Sequence, residues 1–329
     1  MSKTTDSRKV YKPIQFPWAI DACETQHKMH WLPYEIDLMS DLNEFNSQLS
    51  DKERNTIIQI LRFFTQADLE VGRAYIDYYL RIFKCPEIRM MLAAFASMET
   101  IHVLAYSYLI TALRLPDSEY SVFLQYKEMT AKYDYMASFN VDDPQSVALT
   151  LALVSGFIEG MCLFSSFAIL MYFSTLRGQF KKSCLHGVGQ IVSFSIRDET
   201  LHCLSVIKLF HTYVEENKNI LDIPKLHEAI YENCRILVNH EFAFIDLALK
   251  PGDLEFLDPE DLKSYIKYLA DLRLKQLGLQ PIFGIDKNPL EWTGAFLFPK
   301  EIANFFETTP TSYTKGSFKN TEFDWDSFK

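Results

Sequence analysis

The sequence predicts an all-α protein, a bundle of about eight helices. Three observations carry that expectation. Apolar residues recur at three- and four-residue spacing over long stretches, with no alternating strand pattern of any length. Glycine and proline are sparse, 11 and 13 among 329 residues, so long helices can run uninterrupted. Capping signals stand where the apolar stripes begin, at Ser50 with Glu53, at Asp143-Pro144 and at Asp258-Pro259-Glu260.

In chain order, residues 1–20 are polar and then rich in proline and aromatics, and are expected to form an N-terminal arm. The first twelve, MSKTTDSRKVYK, have no apolar signal core, so a cytoplasmic protein is expected. Residues 30–49 read as a turn and a short helix. From Ser50, the stripe Ile57, Ile60, Leu61, Phe64 and Leu69 predicts a helix to about Phe83. Pro86 opens another to about Leu115, and a further helix covers roughly 118–137. Asp142-Asp143-Pro144 starts an apolar helix; the next spans about 180–216. Pro224 opens one to about Leu249, and Pro259 one to about Leu277. From about Thr308 the chain turns polar. Its end, Phe323 to Phe328, mixes aromatics with acids, as a docking peptide would. The expected division is an arm (1–20), a helical domain (21–306) and a flexible tail (307–329).

Charge and cysteine usage narrow the function. A net charge of −10 argues against a nucleic-acid surface. The six cysteines are scattered with no CxxC pair, as buried free thiols in a reducing compartment would be. Residues 147–173 are almost wholly apolar and long enough to span a bilayer, but Glu159 at their middle would be costly in lipid. A helix at the centre of a bundle is the expectation, and no membrane association.

Two strings then stand out: Glu99-Thr100-Ile101-His102 and Glu199-Thr200-Leu201-His202. At i and i+3 on a helix, each turns a carboxylate and an imidazole the same way. A third match, Glu24 to His27, has no long apolar helix around it and reads as chance. Two such helices suit two metal ions if two further helices each add a carboxylate, the dinuclear arrangement of ferritin-like bundles. Buried acids are rare, so the candidates are few. Glu159 is alone in its apolar helix, and Asp68 lies on the helix before the first string; Glu70, two residues on, would face elsewhere. Four carboxylates of charge about −4 balance two divalent ions with neutral imidazoles. Oxygen and nitrogen donors without thiolate suit iron or manganese. Tyr106, one turn after His102, shares its face and would lie beside the metals.

The segments Met98 to Tyr106 and Ser195 to His202 resemble the small, radical-generating subunit of class I ribonucleotide reductase. The resemblance covers most of the chain. It includes His30-Trp31-Leu32-Pro33-Tyr34-Glu35-Ile36, Asp68 at the first-ligand position, and Ser155 to Ala168 around Glu159. It implies that Asp68, Glu99, His102, Glu159, Glu199 and His202 hold two metal ions per chain. Iron is favoured because Tyr106 and all six ligand positions are kept; a dimanganese or mixed manganese–iron pair stays open, and so does a centre whose metals hold the oxidant with Tyr106 a spectator. It further implies a tyrosyl radical at Tyr106 and a relay through Trp31, Asp198 and His102. Leu163 and Phe167 would shield the radical; many relatives carry Phe at both, so Leu163 is a departure. Tyr313, the sole tyrosine of the tail, would be its relay residue. Implied partners are a second copy of the chain, a large catalytic subunit that binds the terminal Phe323–Phe328 stretch, and an activating redox protein. A ferritin-like iron store would share the ligands but has no use for Trp31, Asp198 or such a tail; an oxidase or hydroxylase of the same fold would need a substrate cavity and usually lacks a tyrosine at the Tyr106 position.

Overall fold

The structure is a computed structural model and describes residues 4–294, apart from 180, 251, 253 and 256. Among the described residues it is helical, and the sole β feature is an isolated bridge between Leu254 and Leu257. The long helices are α1 (Pro17–Lys28), α2 (Met39–Ser47), α3 (Asp51–Arg73) and α4 (Pro86–Ala112). Then come α5 (Lys127–Met136), α6, α7 (His186–Asn217), α8 (Ile223–Leu249) and α9 (Pro259–Gln276). Helix α6 has three parts: Pro144–Thr150, a π-helical stretch Leu151–Cys162, and Phe164–Ser174. Helix α3 also runs on through a π-helical turn, Ala74–Tyr79.

The caps behave as their chemistry demands. Ser50 Oγ accepts from the Glu53 amide, and Glu53 answers at the Ser50 amide (2.8 Å). Asp143 closes the same box with Ser146. The roughly 118–137 helix is broken: Tyr126 adopts an extended backbone between the Phe123–Gln125 turn and α5. Helix α7 starts at His186, not near 180, because Leu185 takes a left-handed conformation (φ 56°). Its first amides are satisfied from a distant helix. Asp41 on α2 accepts from Gly187 (3.2 Å) and Val188 (2.7 Å), and Glu44 from Leu185 (2.7 Å). Carboxylates at a helix N-terminus suit both the orphan donors and the dipole. Asp41→Ala should therefore lower stability by about 2 kcal/mol, read by urea unfolding of the metal-free chain.

One helix is absent from the sequence reading. Residues 17–28 form α1, with Pro17 in the first turn and Ala19, Ala22, Cys23 and Gln26 buried on one face against α4. The stripe is short and partly polar, so it gives little periodic signal. The segment before it is also anchored: buried Glu87 pairs with Arg8 and accepts from the Gln15 amide (2.7 Å). Helices α4 and α6 are both long and apolar enough to cross a membrane, but the apolar window of α6 is 94% buried inside the bundle. It packs against α7, α8 and α9 and is the central helix. Helix α4 is buried over 61% of its apolar window and keeps one face open.

Candidate metal centre

Four helices bring the six sequence-chosen donors inward: Asp68 from α3, Glu99 and His102 from α4, Glu159 from the π-helical part of α6, and Glu199 and His202 from α7. All six are buried. Ligand atoms of Glu99, Glu159, Glu199 and His202 lie within 4.8 Å of one another. His102 Nδ1 is 3.4 Å from Glu99 and 3.2 Å from Glu199. His202 Nδ1 is 2.9 Å from Glu99 and 3.5 Å from Glu159. Asp68 stands outside the tight group but within the electrostatic reach of His102, Glu99, Glu199 and Glu159. Glu70 faces away, bound to Arg73 (3.2 Å) and Tyr133 (2.9 Å). Glu24 and His27, the third string, are exposed.

The polar accounting of this cluster fits metal. Each of the six keeps at least one buried oxygen or nitrogen without a hydrogen-bond partner: Asp68 Oδ2, both Glu99 oxygens, His102 Nδ1, Glu159 Oε2, Glu199 Oε2 and His202 Nδ1. Orphaned buried polar atoms are costly, and converging ones point to an ion. The histidines are set for it as well. Their Nδ1 atoms face the cluster, while Nε2 faces outward, that of His102 to Asp198 Oδ2 (3.2 Å) and that of His202 to Gln26 Oε1 (2.9 Å). With Nε2–H donating outward, Nδ1 is a free ligand lone pair.

Without metal, protons must compensate the crowded charge. Burial would lower both histidines, but the carboxylates override it. Glu159 and Glu99 hold His202 at about 10, and Glu99 with Asp198 and Glu199 holds His102 well above its ordinary value. Burial and repulsion from Glu99 push Glu199 up to about 8. Burial also raises Asp68 and Glu159. Burial pushes Glu99 upward too, yet the two histidines outweigh it and leave it at about 2.

The surroundings of the cluster divide into two sides. On one, Tyr106 is buried and donates its phenol hydrogen to Ser195 Oγ (2.9 Å). Its ring lies 4.6 Å edge-on to Phe64, which lies 5.3 Å from Phe167. Leu163 is buried at the junction of the π-helical and α-helical parts of α6. On the other side, Trp31 Nε1–H donates to Asp198 Oδ2 (2.8 Å), the oxygen that also receives His102. Gln26 Nε2 donates to Asp198 Oδ1 (3.2 Å), so one amide ties Asp198 to His202. Tyr75 donates to Glu159 Oε1 (2.7 Å). Sequence reasoning missed Gln26, Tyr75 and Ser195. Gln26 sits inside the string set aside as chance, and only the position of α1 reveals it. Tyr313 and the terminal Phe323–Phe328 stretch lie outside the described residues, as does the 306/307 boundary.

Comparison with known proteins agrees with this geometry. The family model for the ribonucleotide reductase small chain matches residues 8–289. The probable ribonucleoside-diphosphate reductase small subunit of invertebrate iridescent virus 3 is 37% identical, with 98% of this chain and 88% of that protein aligned. The corresponding protein of invertebrate iridescent virus 6 is 39% identical, over 95% and 96%. Among solved structures, the ribonucleotide reductase R2 subunit from Clostridium botulinum superposes with a TM-score of 0.77 at 26% identity, covering 88% of this chain and 91% of that one. A dimanganese protein of the same fold from Streptococcus sanguinis gives 0.73 at 19% identity, over 87% and 96%. A buried oxygen–nitrogen donor set on four helices, a family model spanning most of the chain and relatives aligned nearly end to end agree: the chain belongs to the class I ribonucleotide reductase small-subunit family.

Proposed function

We propose that this chain is the radical-generating subunit of a ribonucleoside-diphosphate reductase, holding two metal ions through Asp68, Glu99, His102, Glu159, Glu199 and His202. The observation that carries this reading is the hydrogen-bonded line from His102 through Asp198 to Trp31, on a cluster that has Tyr106 close by. An iron store needs ligands and an entry path; it has no use for a buried indole hydrogen-bonded to the partner of a ligand. When bound, the metal pair supplies the one-electron oxidising power. Iron is the proposed metal, and a manganese or mixed pair is the alternative that metal analysis decides.

The chain's own residues do the rest. Tyr106 gives up one electron, and its phenolic proton leaves by way of Ser195 Oγ, the acceptor it is hydrogen-bonded to (2.9 Å), in the field of the Asp68 carboxylate. Phe64 and Phe167 keep water from the oxidised ring. Asp198 fixes the His102 tautomer and holds the Trp31 N–H, so charge can pass outward while that proton stays on a defined acceptor. The oxidising equivalent is then delivered to a separate large subunit, docked by the Phe323–Phe328 segment, with Tyr313 as the tail relay. An activating redox protein is a further proposed partner, and the cytoplasm the proposed location. Deleting the last seven residues or so should abolish nucleotide reduction with a large subunit while metal content and radical persist. Activity that survives the deletion would rule out the docking role.

Two further expectations arise from the same geometry. Ser195→Ala should remove the hydrogen bond to Tyr106, so the exchangeable-proton coupling of the tyrosyl signal should vanish in high-field electron paramagnetic resonance. A homodimer is proposed through the open face of α4, where Met90, Ala93, Ser97, Thr100, Leu104 and Tyr108 are exposed at three- and four-residue spacing. Leu104, 60% exposed, is the test. Leu104→Arg should convert dimer to monomer in sedimentation velocity at micromolar concentration.

A further inference from the structure

The π-helical stretch Leu151–Cys162 carries Glu159 and lies wholly inside the bundle. A π-helix has a specific weakness. Where it returns to α-helix, two successive carbonyls compete for one amide, so a carbonyl near its C-terminal end is left without a backbone donor. In a buried segment water cannot fill that place. Here two carbonyls at this end accept from buried cations on other helices. Arg273 of α9 donates Nε–H to the Gly160 carbonyl (2.9 Å), and Lys132 of α5 donates to that of Cys162 (2.9 Å).

Both cations are themselves held. Arg273 is 1% exposed, reaches Gln276 Oε1 (2.9 Å) and lies over Phe164 (6.0 Å). Lys132, also 1% exposed, pairs with buried Glu241 and lies 4.7 Å from the rings of both Phe63 and Phe244. Glu241 in turn accepts from Ser165 (2.9 Å), in the α-helical part that follows. The approach of Arg273 depends on a missing side chain. A Cβ at residue 160 would lie 2.7 Å from Arg273 Nε and 2.7 Å from Cys203 Sγ.

From this geometry we infer that Lys132 and Arg273 are positioning residues that lock residues 151–162 in the π-helical form and so fix Glu159 against the other donors. The mechanism above uses neither residue. The consequence is geometric. Relaxing a π-helix of this length to an α-helix rotates everything after it by at least about one residue's turn, roughly 100° or more. Glu159 and Phe167 could then no longer face the metal cluster and Phe64 together. The inference rests on Glu159 being a ligand.

The test uses the full chain, loaded with manganese(II) alone and followed by electron paramagnetic resonance of the free ion. Amide hydrogen exchange is read in parallel over residues 150–167. Removal variants are Arg273→Met and the double variant Lys132→Met/Glu241→Gln, which leaves no unpaired buried carboxylate. With helical content retained, each should weaken one of the two manganese sites roughly tenfold or more and speed exchange at residues 156–163 by about as much. Arg273→Lys, which keeps a donor and a charge, should restore both readouts. Folded removal variants with unchanged exchange and unchanged manganese binding would overturn the inference. If the removal variants do not fold, Gly160→Ala decides, because its Cβ displaces Arg273, and Cys203 with it, without altering charge and should speed exchange likewise; unchanged exchange there sinks the idea. If the wild type binds no manganese, the metal reading fails, and exchange alone still tests the lock.

Discussion

Tyr106→Phe should lower nucleotide reduction by about three orders of magnitude, to the level of the metal-free chain, while both metal ions stay bound. The side chain is buried, and its one recorded hydrogen bond is to Ser195, so losing the hydroxyl removes the redox group without exposing a ligand. The phenylalanine ring would keep its contact with Phe64, so stability should change by less than about 1.5 kcal/mol. Three measurements check this: turnover with a large subunit, metal content, and the paramagnetic spectrum. A tyrosyl signal of unchanged shape in the variant would remove Tyr106 from the radical role. Unchanged turnover without any signal would instead favour an oxidant stored on the metals.

Metal uptake should strengthen steeply with pH. In the metal-free site His202 sits at about 10, Glu199 at about 8, and His102 well above its ordinary value. A metal needs these groups unprotonated, so at pH 7 binding must expel protons from all three. Affinity therefore rises with pH, by up to about tenfold per unit for each proton displaced, until the solution pH passes each group's own value. Proton release on adding manganese(II) to a weakly buffered solution reads the count directly. The metal-free chain should move the other way. A histidine or glutamate whose folded value lies above its unfolded one stabilises the fold below the unfolded value and loses that contribution as pH rises through the folded one. For His202 that window runs from 6.5 to about 10, and for Glu199 from 4.5 to about 8. The rise in melting temperature on adding metal should thus be larger at pH 8.5 than at pH 6. Equal shifts at the two pH values would contradict this charge assignment.

The sequence showed the donors because the requirement is local. Glu and His at i and i+3 share a helix face wherever the helix goes, and Glu159 in an apolar run has few alternatives. The same locality explains the misses. Gln26 lies on a short helix with a partly polar stripe, and it matters only because α1 lies against α4 with that face inward. Ser195 is one of many serines until α7 turns it to Tyr106. No period announces a π-helix, since the sequence of residues 151–162 is apolar on every side and reads equally well as α.

By itself, then, the sequence determined the all-helical class, the capped helix starts and the six inward donors. Each of these follows from the residue pattern along one helix at a time: spacing for the two Glu–His pairs, an acid in an apolar stretch for Asp68 and Glu159. Only the tertiary structure decided which hydrogen-bond partner each donor meets: Asp198 for His102, Gln26 for His202, Tyr75 for Glu159. It also decided that Arg273 and Lys132 reach the carbonyls of the helix carrying Glu159. Those contacts join residues up to 176 positions apart, and what sets them is the packing of whole helices against one another.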